Sequence, residues 1–262
     1  MKIEFIGIQT KIITTNDRDI VQFVRNALRE NECELQDNDF VIIASKIIST
    51  AEGCQYKISD IKDIRQETYE LAQKSRLDPR FVELVFRESD EIIGAVPGAV
   101  LALKNGILQA NAGVDQSNSG GKEYYITLPR DPAETANKIH LQLEIELSVS
   151  IGVIIADSKT HPLRRGTSGF ALGVAGFSPI IDDRGTIDLF NRKMNITTRA
   201  LADNLVCGAE ILMGESNEQI PIVIARGYEK MPVQTIIDVY ENNEQMKMDP
   251  VQCIYMGPLW KK

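Results

Sequence analysis

The sequence predicts one soluble globular domain in which helices alternate with short strands, and three observations carry that expectation. Amphipathic stretches with capping residues recur along the chain, compact apolar runs of strand length lie between them, and Asn105-Gly106 separates two such runs as a hairpin turn does. With 262 residues, 43% of them apolar and 25% charged, the chain can bury a sizeable core without covalent staples. Residues 1–262 read as a single domain, with two subdomains as the alternative, because no repeat, low-complexity tract or interdomain linker interrupts them.

The elements follow in order. A short strand is predicted over residues 3–8, then a helix over 17–30 with Val21, Val24 and Leu28 on one face. Residues 40–44 are a compact apolar strand that delivers Ser45 and Lys46 at its end, and residues 61–88 are charged and helix-rich. Apolar runs at 92–96, 99–103 and 107–110 are punctuated by Pro97-Gly98 and Asn105-Gly106, so Asp115 is expected just beyond a hairpin strand. Residues 131–151 satisfy two periods at once. Asp131, Pro132 and Glu134 make a helix start, yet every second residue from Ile139 to Ile151 is apolar, as in a strand. Because Ala136, Ile139, Leu143 and Leu147 also keep the helical period, the reading is a helix to about residue 146 and a strand over 150–156. A later helix over 197–213 should stop at Gly214, a buried strand should cover 220–225, and Leu259-Trp260 should pack against the body.

Charge and cysteine usage exclude several classes. A net charge of −8 repels polyanions, so neither nucleic acid nor an anionic membrane is an expected partner, and any nucleotide needs a local site. The four cysteines, Cys33, Cys54, Cys207 and Cys253, show neither metal-ligand nor disulfide spacing. Reduced thiols, an opening segment with acid at Glu4, and no long apolar run make a cytoplasmic protein the expectation.

Two segments carry chemistry. QANAGVDQSN (109–118) and IIADSKTHPLRRG (154–166) each place one acid, Asp115 or Asp157, after an apolar or glycine-rich stretch that reads as a strand end or tight turn. Small polar residues follow both, and this is how hard oxygen ligands are presented to Mg²⁺ or Mn²⁺. Arg164 and Arg165 add planar forks suited to phosphate or carboxylate, so the pattern points to phosphoryl chemistry. An isolated Asp-x-Ser is more often a turn aspartate bonded to nearby backbone, and an isolated Arg-Arg is more often solvated. His140 and His161 receive no catalytic role, and Ser45 lacks a GxSxG context. No phosphate-binding GxxxxGK[ST] loop occurs, and GVAG (173–176) is too short for a dinucleotide fingerprint.

Five ordered blocks, SKIISTAEG (45–53), NAGVDQSN (111–118), IADS with RRG (155–158 and 164–166), LGVAGF (172–177) and MGESNEQIP (213–221), resemble the coenzyme F420-0:L-glutamate ligase family. The resemblance runs over about residues 3–227. It implies an α+β architecture with mixed and antiparallel sheets, an intertwined homodimer, and amide formation between L-glutamate and the carboxylate of F420-0 driven by GTP. It also implies that Asp115, Asp157, Ser158 and Glu215 hold a pair of Mg²⁺ or Mn²⁺ ions, with K⁺ as a further candidate ion. The guanine nucleotide would be wrapped by residues 8–12 (Ile8 and Gln9 among them), Ser45, Lys46, Thr50, Asn118 and the loop containing Met213, Gly214, Ser216 and Ile220. Arg164 or Arg165 would steady the acyl phosphate or the glutamate carboxylates.

Two departures stand out. Thr50 occupies a position where the family commonly has lysine, and 159–163 replaces a Gly-Arg-Pro-Trp-like run, ending in Leu163. The acceptor alternatives are the deazaflavin F420-0 and a folate or other pterin, and a catalytically idle nucleotide-binding relative is the non-enzymatic alternative.

Overall fold

The computed structural model describes residues 2–228 and 238–258, so the expectation for Leu259-Trp260 lies outside the described residues. The strands are β1 (Glu4–Ile8), β2 (Phe40–Ala44), β3 (Gln55–Lys57), β4 (Glu91–Val96), β5 (Ala99–Lys104), β6 (Ile107–Ala110), β7 (Tyr124–Ile126), β8 (Gly152–Thr160), β9 (Thr167–Ala175), β10 (Ile180–Asp182), β11 (Thr198–Ala200) and β12 (Ile222–Arg226). The helices are α1 (Ile20–Glu30), α2 (Ser45–Glu52), α3 (Gln66–Ser75), α4 (Pro79–Glu88), α5 (Pro132–Leu147), α6 (Leu201–Met213) and α7 (Val239–Glu244).

The main sheet is mixed and five-stranded, in the order β1-β12-β2-β8-β9. Only β2 and β8 run parallel within it, and the neighbouring pairs are antiparallel. Alternation along the strands feeds two cores. Val41, Ile43, Val153 and Ile155 pack with α1, α2 and α5, while Phe40, Ile42, Ile154 and Val223 pack with α6. A third core lies between the β4-β5-β6 meander and helices α3 and α4. Within it Glu83, 1% exposed, is satisfied by Thr68, Arg65 and Arg87. The architecture is therefore mixed α/β with antiparallel and mixed sheets, as expected.

Several boundaries moved for local reasons. Helix α1 starts at Ile20 rather than residue 17, because Asp19 caps it by accepting from the Gln22 N–H, while Asp17 closes a preceding turn by accepting from Thr14. The ambiguous 131–151 segment is helical from Pro132 to Leu147, capped by Asp131. Its helix buries Ala136, Ile139 and Leu143 and leaves Leu141, Ile145 and Leu147 exposed, so half of the apparent strand alternation faces outward. Residues 198–200 pair with β10 instead of opening α6.

Strand β8 runs to Thr160, past the expected end at 156, because β9 continues the ladder through Thr160↔Thr167. Asp157 thus sits inside a strand, and its reading as a strand-end or turn aspartate is corrected. Among the described residues no helix is long and apolar enough to cross a membrane.

Candidate functional site

A cavity of about 1210 Å³ opens where the ends of β2 and β8 meet the meander and the loop after α6. Parallel pairing sets Ala44 beside Ala156, so Ser45, which follows β2, and Asp157, still within β8, stand at the same level. Helix α2 begins at Ser45 with no intervening loop, which puts its first turn, with N–H groups that have no partner inside the helix, into the cavity lining.

Asp115 reaches the same space from the meander side. Asn111, Ala112 and Gly113 all adopt left-handed backbone, at φ 55°, 50° and 74°. The Asn111 side-chain oxygen accepts from the Val100 N–H at 2.9 Å, and a Cβ on Gly113 would press into Leu128. Asp115 is then fixed by a two-way backbone bridge to Ile126. Its carboxylate accepts from Lys46 Nζ at 2.5 Å, Ser117 Oγ at 2.6 Å and the Ser117 N–H at 3.0 Å. Burial pushes its pKa up, but the bonds from Lys46 and Ser117 outweigh burial and hold it below the usual carboxylate range.

Asp157 is balanced the other way. Burial pushes it up to about 6, and the Asp115 and Glu215 charges add to that against the opposing field of Lys46. Its carboxylate accepts from the Ser158 N–H at 2.9 Å and lies 3.5 Å from Gln109 Nε2. Glu210, near the end of α6, is pushed up to about 7 by desolvation and by Glu215 and Asp157. Glu215 accepts from Thr167 Oγ1 at 2.8 Å. Crowded carboxylates that raise one another's pKa relax when a cation enters. Among the described residues, no three metal-binding side chains converge on one point. The set therefore suits a hard ion that takes one or two carboxylates and fills its other positions with phosphate and water.

Three separate segments close the cavity's other side. The Thr10 N–H donates to the Gln219 carbonyl at 3.0 Å, and Asn118 Nδ2 donates to the Ser216 carbonyl at 3.0 Å. The turn after β1, the loop after Asp115 and the loop after α6 are thereby tied together. Gly214 lets the chain leave α6 at φ 62°, with its N–H on the Glu210 carbonyl at 2.9 Å.

The structure brings together Ser45, Lys46, Thr50, Asn118, Met213, Gly214, Ser216 and Ile220 with Asp115, Asp157, Ser158 and Glu215, all in the lining. Strand alternation sets the side chains of Asp157 and Ser158 on opposite faces of β8. Four other residues are not in the lining. Ile8 is fully buried in the sheet, Gln9 is exposed, and Arg164 and Arg165 stand exposed on the β8–β9 turn. Sequence reasoning missed Gln109 and Glu210. The signal for Gln109 was a polar residue in a short apolar strand, and for Glu210 a lone acid in the apolar run of α6.

The fold and this cavity define an α+β protein with an anion-crowded chamber bounded by a helix N-terminus and three interlocked loops. The chain belongs to the F420-0:gamma-glutamyl ligase family, a family of amide-bond-forming ligases, whose model matches residues 7–227. It is 37% identical to a coenzyme F420:L-glutamate ligase of Methanothermobacter thermautotrophicus, over 87% of this chain and 90% of that relative. The ligase of the same name from Methanopyrus kandleri is 37% identical over 74% of this chain and 77% of the relative. That from Methanocaldococcus jannaschii is 35% identical over 86% and 88%.

Proposed function

We propose that the protein joins L-glutamate to the carboxylate of F420-0 as an amide, with GTP as the driving co-substrate and divalent metal as cofactor. The observation that carries this reading is the convergence of Asp115, Asp157, Glu210 and Glu215 on one cavity with Lys46 and the first turn of α2. Bound Mg²⁺ or Mn²⁺, as a pair of ions with K⁺ as a further candidate, would neutralise charge on the transferred phosphoryl group.

The acceptor carboxylate attacks the γ-phosphorus and GDP leaves, forming an acyl phosphate. The glutamate amine then attacks the acyl carbon, phosphate departs, and the amine loses its proton. Asp115 and Asp157 would hold the divalent metal, with Glu215 and, from the opposite face of β8, Ser158 as further oxygens, and Lys46 supplies fixed positive charge beside them. The segments joined by the Thr10–Gln219 and Asn118–Ser216 bonds enclose the nucleotide. A volume of about 1210 Å³ exceeds the usual range for one small ligand and leaves room for nucleotide and amino acid together. Arg164 and Arg165, exposed on their turn, would act only by folding inward over the substrates.

A homodimer is part of the proposal. The arm between β10 and β11 carries Leu189 and Phe190 at 97% and 82% exposure, with Ile187 and Ile196 also outward, and a second copy would cover them. Free thiols at Cys33, Cys54, Cys207 and Cys253 suit a reducing cytoplasm.

The test offers purified protein GTP or ATP, Mn²⁺, L-glutamate and either F420-0 or a reduced folate, and reads GDP and product mass. One added glutamyl unit on F420-0 is the expected result. Glutamylated folate alone would move the acceptor to pterins, and no product from either would leave a nucleotide-binding relative. In Asp157→Asn, product formation and calorimetric Mn²⁺ binding should both be lost while the melting temperature is kept.

A further inference from the structure

A second cavity, about 570 Å³, lies on the far side of Gln109 and shares Gln109, Leu128 and Lys159 with the first. Apolar and aromatic side chains, Phe170, Leu172, Tyr240, Met246, Met248 and Met256, share its walls with charged ones, of which the acids Asp131, Asp203 and Glu244 are engaged by the Tyr240 hydroxyl, the Ala171 N–H and Lys247. Four of the six apolar and aromatic residues belong to the segment after residue 238, whereas the family match ends at 227.

That segment is firmly docked. The Asn243 side chain accepts from the Val174 N–H at 2.8 Å and donates to the Val174 carbonyl at 2.9 Å. Asn242 donates to the Phe177 carbonyl at 3.0 Å, and the Tyr240 hydroxyl donates to Asp131 at 3.0 Å. Both asparagines are buried, so α7 is bolted to β9 and the start of α5 by its polar side chains.

Two features say what the cavity accepts. Lys159 Nζ stands 4.0 Å over the Phe170 ring, and Arg130 lies on the rim, so a cationic edge borders an aromatic wall. Gln109, 5% exposed, sits at the throat with its Oε1 unpartnered among the described residues and its Nε2 on the Asp157 side. A buried amide oxygen without a donor is costly, which marks the throat as a place completed by a ligand.

Resting on the function proposed above, we propose that this second cavity is the acceptor subsite. It takes a flat heteroaromatic ring against Phe170, Tyr240 and the methionines, and the ring's anionic tail runs past Lys159 and Gln109 to present its carboxylate in the first cavity. Gln109 is a positioning residue on this path. The choice between acceptor rings then lies with the segment after 238, outside the region the family shares. Thioether side chains conform to flat rings without demanding one outline, so the wall sets ring size more than ring chemistry.

The experiment measures F420-0 binding by fluorescence anisotropy without GTP, alongside folate binding and GTP binding by calorimetry, in wild type and in Met248→Trp/Met256→Trp. The filled wall should weaken acceptor binding at least tenfold while GTP affinity stays within twofold. Tyr240→Ala, at an exposed position, carries the same expectation should the double variant fail to fold. Gln109→Leu should keep acceptor affinity within threefold and lower kcat at least tenfold. Whichever ring binds the wild type, deazaflavin or pterin, identifies the source of the tail-bearing acceptor.

Unchanged acceptor affinity in the wall variants of an active enzyme would overturn the subsite and leave the ligase reading standing. A Gln109→Leu enzyme with wild-type kcat would overturn the role of the throat. A wild-type protein that binds GTP but neither ring would overturn the ligase reading, and this subsite with it.

Discussion

Lys46 Nζ and Asp115 Oδ2 lie 2.5 Å apart across the mouth of the main cavity, joining the first turn of α2 to the loop that follows the meander. The ammonium also donates to Ser117 Oγ at 2.7 Å. One cation thus fixes the position of the Asp115 carboxylate and lies in the lining beside the helix N-terminus. Lys46→Met should weaken GTP binding roughly tenfold to a hundredfold, the range of a charge-assisted contact. Calorimetry with a non-hydrolysable GTP analogue checks it, and wild-type affinity would remove Lys46 from the nucleotide site.

Glu210 predicts a pH effect of definite sign. Its folded pKa, pushed up to about 7, lies above the ordinary glutamate value of 4.5, so between those values the folded protein keeps a proton that the unfolded chain has lost. Stability should therefore fall as pH rises through that window in metal-free buffer. After allowance for partial exposure the effect is on the order of 1–2 kcal/mol. Glu210→Gln should flatten this slope and raise the melting temperature at pH 8 by about 2–6 °C. Parallel melting curves for both proteins from pH 5 to 8 would contradict it.

The pair Asp39 and Arg226 ties β2 to β12 in the main sheet. Arg226 Nε and Nη2 reach the two carboxylate oxygens at 2.9 and 2.6 Å, and Asp39 is 1% exposed. Arg226→Met leaves that carboxylate buried with the Gln36 N–H as its one remaining partner among the described residues, and should cost about 3–5 kcal/mol. Adding Asp39→Asn should return part of the loss. Urea melts of the single and double variants supply the comparison.

Gly173 tests how closely β9 approaches the start of α5. A Cβ there would stand 2.4 Å from the Pro132 carbonyl carbon and 2.5 Å from its oxygen, both backbone atoms that cannot swing aside. Gly173→Ala should destabilise by about 2 kcal/mol or more, through overpacking. Gly94→Ala, which meets nothing within 4 Å, is the control. Equal melting temperatures for the two would show that β9 can yield.

The sequence made much of this legible where one residue type had one physical use. Asp131 announced a helix start, Asn105-Gly106 announced a hairpin, and Gly214 announced a helix end. The partners of each site residue were not legible, because they are set by tertiary register. The approach of Lys46 to Asp115 spans 69 positions, and the approach of Gln109 to Asp157 spans 48. Strand β9 went unread since its glycines, Gly169 and Gly173, dilute the apolar alternation. They do so because α6 and the first turn of α5 lie directly against them. Arg164 and Arg165 drew attention by their charge and by the family resemblance, and neither reveals which way a hairpin turn points.

Ala112 carries a cost that bears on how this chain tolerates mutation. It is fully buried, its methyl fills the core under the meander, and its backbone is left-handed at φ 50° and ψ 27°. Glycine would relieve the backbone and open a void the size of that methyl, whereas any larger residue would keep the backbone cost and overfill the core. Alanine is a compromise with no neighbour in sequence space that improves both terms. In a saturation library, positions 111–113 should therefore be close to immutable, while the exposed Lys122 and Glu123 a few residues later accept nearly everything. The local record of permitted substitutions would thus separate backbone held by the core at 111–113 from side chains that stand in solvent at 122–123.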